Sequence, residues 1–195
     1  MRSRFLLVGV TLSLSLACAK GDARAEAPAP GDKVATKPAA LAPAAAPAGS
    51  APIEPLAKGK RVRIGKLFEI KPLQMLVPPE VKLTMSDSDE TLPRANLSGG
   101  PIEMEVMQPD GGFHSLADET KLYAGAKDVT VARAYEDASG YVLLLKKIES
   151  PTRTVFEVFV ARPALKVMCH QFQALSLAEA ELAASVCLTL RPAGK

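Results

Sequence analysis

Short runs of strand-forming residues, separated by turn signals, fill the C-terminal two thirds of the chain. Val129 to Tyr135, Tyr141 to Ile148, Thr154 to Ala161 and Leu165 to Phe172 each read as a strand. Asp137-Ala-Ser-Gly140 and Ser150-Pro151-Thr152 are turn signals, so these four strands form an antiparallel meander. In the third run Phe156, Val158 and Val160 make one face and Val155 and Phe159 the other, which predicts a strand covered on both sides by helices. Upstream, Ile102, Met104 and Val106 alternate with Glu103 and Glu105, the pattern of a half-buried strand, and Pro109-Asp-Gly-Gly112 stops it. Phe68 to Val77 and Val81 to Met85 are strand-like runs broken by Pro72, Pro78 and Pro79, which predicts edge strands or loops. Val62 and Ile64 give the buried side of a first strand.

Two segments switch to helical spacing. Ser176 and Glu179 form a capping box that opens a helix at about Leu177. Leu182, Ala183, Val186, Cys187 and Leu190 make one apolar stripe, and Pro192 ends the run. Ser115 with Asp118 resembles a second helix start, running through Leu116, Leu122 and Tyr123 to about Ala126. The fold class is therefore α+β, an antiparallel sheet flanked by helices. On the last strand Leu165, Val167 and Cys169 alternate with Lys166, Met168 and His170, so Cys169 points to the apolar side and Cys187 lies on the helix stripe. A bridge between them staples helix to sheet.

The N-terminus has a different character. Met1 to Arg4 holds two arginines and Phe5 to Leu16 is uncharged and largely apolar, too short to span a bilayer, so residues 1–17 read as an export signal. Leu14 to Cys18 resembles the lipobox of bacterial lipoproteins, with Cys18 the residue to be acylated, although Ser15 stands where Leu is usual. Ordinary cleavage at Ala17-Cys18-Ala19 is the rival, and it releases a soluble periplasmic or secreted protein. Behind Cys18, 22 of the 39 residues from Ala19 to Ala57 are Ala or Pro and none is aromatic. Such a stretch cannot bury enough surface to fold, so residues 18–57 read as a disordered tether with a reach of at least ~35 Å, ahead of a domain at 58–195. That tether favours the lipoprotein reading, because Ala/Pro-rich spacers commonly follow a lipidated cysteine.

From Lys58 to Lys195 the chain carries 18 basic and 17 acidic residues. The electrostatic footprint of a nucleic-acid binder is absent. Lys58 to Lys66 is a basic cluster that either runs solvated into the first strand or touches anionic headgroups or a cell-wall polymer. With Cys18 assigned to the signal, two of the three cysteines remain, and an even pair in an exported domain reads as a disulfide, not a metal site. His114 and His170 lack ligands at metal-binding spacing. Asp87, Asp89 and Glu90 lack the Gly and final Glu of a calcium loop, and read as a solvated loop. Gly99-Gly100 and Gly111-Gly112 read as turns, and no nucleophile elbow, phosphate loop or dinucleotide fingerprint occurs. Asn96-Leu-Ser98 matches a glycosylation sequon by accident. Gln171 and Gln173 beside His170 read as exposed strand-face residues, with a polar lining next to the disulfide as the alternative. No catalytic, cofactor-binding or metal-ligating residue is assigned.

The order of several short strands, a helix, four meander strands and a terminal helix whose cysteine returns to the last strand resembles the PsbP-like fold. So do Tyr141-Val-Leu-Leu-Leu followed by Val155-Phe-Glu-Val, and the ending Val186-Cys-Leu-Thr-Leu-Arg191, in which Thr189 stands where Ser is common. The resemblance covers roughly Phe68 to Leu190 and includes envelope lipoproteins of the DcrB and LpqN kind. It implies a non-enzymatic binding or accessory role. The expected partners are membrane lipid through acylated Cys18, and another envelope protein or the cell wall. The expected place is the cell envelope facing the periplasm, at the outer rather than the inner membrane. The alternative function is a carrier holding a small apolar ligand between sheet and helix, which requires a deep apolar pocket there.

Overall fold

A computed structural model describes residues 51–67, 70–86 and 93–194. They all fall in one compact unit. The export signal, Cys18, the tether as far as residue 50, Phe68, and the acidic Asp87, Asp89 and Glu90 lie outside the described residues.

The fold is α+β, as its sequence pattern requires, but its strands form two antiparallel sheets. The larger joins two meanders. The first comprises β3 (Lys82–Ser86), β4 (Arg94–Gly99) and β5 (Ile102–Met107). The second comprises β6 (Val129–Asp137), β7 (Gly140–Ser150), β8 (Arg153–Arg162) and β9 (Val167–Ala174). They meet where β5 pairs with β9, placing Val106 opposite Cys169, so the strand order is β3-β4-β5-β9-β8-β7-β6. A 3-10 turn, Pro163–Leu165, takes the place of the expected start of β9, and Lys166 leaves it with φ of 57°.

The smaller sheet has the order β1-β2-β10, from β1 (Lys60–Ile64), β2 (Leu73–Val77) and β10 (Arg191–Pro192). β2 is thus a central strand and not an edge. Pro72 and Pro78 bracket it without interrupting it, so no ladder N–H is lost.

Two helices complete the domain. α1 (Leu116–Leu122) starts where Ser115 accepts the Asp118 N–H, and it contacts β6 and β7. α2 (Leu177–Leu188) starts at Ser176, which accepts the Glu179 N–H at 3.2 Å, while the Glu179 carboxylate accepts the Leu175 N–H at 2.7 Å. α2 is buried on more than the single stripe that spacing suggests. Ala180, Ala183, Ala184, Val186 and Cys187 are all fully buried, whereas Leu182 is only half-buried. The reason is the smaller sheet: Ile64, Leu73, Met75 and Val77 join the cluster that α2 forms with Leu97, Met104, Val158 and Val160 of the larger one. Alanines suit such a site, because a longer side chain would have to displace a packed neighbour. Packing also begins upstream of Lys58, since Ile53 is buried and the Leu56 N–H donates to the Ser185 carbonyl.

Candidate functional site

The two cysteines of the domain come together between β9 and α2. Cys169 and Cys187 are disulfide-bonded, with their Cα atoms 6.3 Å apart and both side chains fully buried. At the C-terminal end of α2 the Thr189 hydroxyl donates to Val186 O and accepts the Leu76 N–H at 2.8 Å, tying the helix to β2. The Arg162 guanidinium donates to Leu188 O at 3.0 Å and satisfies a carbonyl that the helix leaves free. These contacts lock helix to sheets and present no reactive group to solvent.

The opposite face of the larger sheet carries the chemistry that strand alternation alone did not reveal. On β8, Glu157 and Phe159 point away from α2, and His170 sits opposite Phe159 on β9. His170 Nε2 lies 2.7 Å from Glu157 Oε1, and the Lys147 ammonium from β7 pairs with Oε2. Phe159 stacks on the His170 ring at 4.4 Å, Phe172 packs against that ring at a tilt with centroids 3.9 Å apart, and Tyr123 of the segment after α1 reaches Phe159 at 6.0 Å. From Gln171 to Ala174 the β9 chain takes three steps while β8 takes two from Val158 to Phe156. Phe172, two residues beyond His170 on the same face, is 51% exposed beside the buried pair. Leu122 of α1 is 66% exposed.

Burial opposes the charge on Glu157, but the hydrogen bonds and positive charges of His170 and Lys147 outweigh it and hold the carboxyl below its ordinary range. Burial, and then the charges of Glu157 and Glu119, push the Tyr123 phenol up to about 12. Burial followed by Glu119 likewise raises Tyr141. Glu157 and both tyrosines are therefore displaced away from neutral pH, the reverse of what proton transfer at pH 7 needs. The arrangement is a fixed charge pair under an aromatic row.

Gln171 is buried and not the exposed strand-face residue expected, because it follows Val167 and Cys169 on the apolar side of β9, and His170 is buried as well. Glu157 and the two flanking phenylalanines enclose His170. The Gln171 amide accepts the Glu103 N–H at 3.2 Å and donates to Pro101 O at 3.1 Å, closing the β4–β5 turn. Gln173 is exposed and accepts from Arg153. His114 is also exposed, 3.5 Å from Glu119. Asn96 lies on β4 opposite Glu105. Gly100, Gly111 and Gly112 occupy left-handed turn positions, with φ of 57°, 76° and 94°. Among the described residues no three His, Cys, Asp or Glu side chains converge as a metal site requires.

An open groove of about 510 Å³ lies between the 108–113 loop and the turn at Pro163, with Phe113 and Lys166 on its walls. It is not the pocket between sheet and α2 that an apolar-ligand carrier needs. No helix among the described residues is long and apolar enough to cross a membrane. Comparison with known proteins gives no match to a family model, to a curated protein or to a solved structure.

Proposed function

We propose that the protein is a non-enzymatic module of a bacterial cell envelope, anchored by an acylated Cys18 and acting by binding at the end of its Ala/Pro tether. In this reading the domain is of the PsbP-like kind, faces the periplasm from the outer membrane, and engages another envelope protein or the cell wall. Confinement at a membrane raises the effective concentration of domain and partner, so modest contacts suffice.

The observation that carries the reading is the division of labour between the two faces of the larger sheet. The α2 side is packed with fully buried side chains, from Val158 and Val160 to Ala183 and Val186, which leaves an apolar ligand to compete with native core contacts. The other side exposes Phe172 next to a rigid, paired Glu157–His170 foundation. An aromatic side chain held by its neighbours is a low-entropy anchor of the type that binding surfaces favour. Native mass spectrometry of the purified domain separates the two functions. A module runs at its sequence mass, whereas a carrier retains a lipophilic adduct that is lost on denaturation.

A further inference from the structure

The three strands of the smaller sheet, KRVRI, LQMLV and RP, contain no carboxylate. Their register sets Arg61 opposite Leu76, Arg63 opposite Gln74, and Arg191 opposite the same Gln74 from the other side. These positions alternate with the core-facing Ile64, Leu73, Met75 and Val77, so Arg61, Arg63 and Arg191 share the outward face of the sheet. All three are exposed, as are Lys58, Lys66 and Lys71 around the strand ends. Among the described residues none of the six takes part in an ion pair. Glu54 and Glu80 are the described carboxylates in the segments that flank the sheet, and both are exposed.

We propose that this face docks on anionic phospholipid headgroups, laying the smaller sheet against a membrane. Three guanidinium groups on a shallow sheet match phosphates in a plane, and each can grip one with two parallel hydrogen bonds. The face lacks what single-stranded nucleic acid requires, because Leu76 and Gln74 lie between the arginines where aromatic stacking platforms would stand. The cations also lie close behind the point where packing begins, since Ile53 is buried and Lys58 follows it five residues later. The inference deepens the anchored-module reading by naming which side of the domain meets the lipid.

The test uses the full chain carrying Cys18→Ser, so that acylation plays no part, and measures sedimentation with phosphatidylcholine vesicles and with vesicles containing phosphatidylglycerol. Neutral vesicles report whatever the apolar leader contributes. Binding should rise with phosphatidylglycerol and fall with added salt, and Arg61→Ala/Arg63→Ala/Arg191→Ala should lose about fivefold per arginine, on the order of 100-fold in all. A control with Lys127→Ala/Lys146→Ala/Lys166→Ala, exposed lysines outside the smaller sheet, should keep its binding. Circular dichroism melts establish that both variants fold. Equal losses from the two triple variants would overturn the proposal, since net charge would then explain the attraction. So would binding indifferent to phosphatidylglycerol, including the case in which the arginines matter only for a soluble anionic polymer such as dextran sulfate. Failure here leaves the acylation of Cys18 untouched.

Discussion

His170 and Glu157 meet across neighbouring strands at 2.7 Å, with both side chains withdrawn from solvent and Lys147 closing the other carboxylate oxygen. Glu157→Gln removes the charge that the Lys147 ammonium pairs with and the His170 ring hydrogen-bonds, and should cost about 1.5–3 kcal/mol near pH 7. The folded-state carboxyl titrates below its ordinary value. The stabilisation is therefore present above the ordinary carboxylate range and is lost as pH falls through the folded-state value. Thermal melts at about pH 7 and about pH 3 should show the gap between wild type and variant narrowing in acid. A gap that widens in acid contradicts this assignment.

The Cys169–Cys187 bond closes a sequence separation of 18 residues between β9 and α2. Closure of a loop that size is worth ~3 kcal/mol in the chain-entropy model, a large share of a small domain's stability. Intact-mass measurement after alkylation, with and without reductant, should show no free thiol at either position until reduction. Two thiols alkylated in the folded, unreduced protein would exclude the bond.

Gly140 lies at the β6–β7 hairpin with φ of 138°, and a Cβ there would run into the Ala161 carbonyl oxygen of β8. Gly140→Ala should therefore destabilise the domain by at least about 1–3 kcal/mol, by strain and overpacking together. Gly111→Ala, at φ of 76° with open space around it, should cost less, because it meets only the strain. Urea titration of the two variants checks the order, and a Gly140→Ala cost no larger than that of Gly111→Ala would contradict the contact with Ala161.

Much of this fold was legible in the sequence, and the failures share causes. The strands β6 to β9 and both helix starts follow from turn residues and capping boxes, which are local signals. β4 is not, because Arg94–Gly99 buries only Ala95 and Leu97 among small and polar residues, and Gly99-Gly100 reads simply as a turn. β10 is two residues long and includes a proline, so only its pairing with Gln74 and Leu73 defines it. Missing β10 and the role of β2 hid the smaller sheet, and with it the second burial surface of α2. The outer network left one usable trace. Glu157 is a charge within a strand apolar on both faces, a position that demands a partner. Which partner depends on the alignment of β7 with β9 through β8, and no single strand carries that information.

Cys18 should be acylated, since the Leu14 to Cys18 signal and the spacer behind it have the form of a lipoprotein start. Several acyl chains hold a protein firmly where one does not. After expression in a bacterial host, the wild-type chain should partition into the detergent phase and Cys18→Ala should shift toward the aqueous phase. Wild type found in the aqueous phase would restore the soluble, cleaved alternative.

Binding by the outer face at the end of a tether is tested most directly by photo-crosslinking in living cells, with a crosslinking amino acid in place of Phe172. The chain should give a discrete protein adduct, strongly reduced when Ala35 to Ala51 is deleted and retained when the same residues are scrambled, because the spacer acts through its length. A crosslinker at exposed Lys127 should not give that adduct. Absence of a discrete adduct from position 172, or an adduct indifferent to the deletion, would contradict the account.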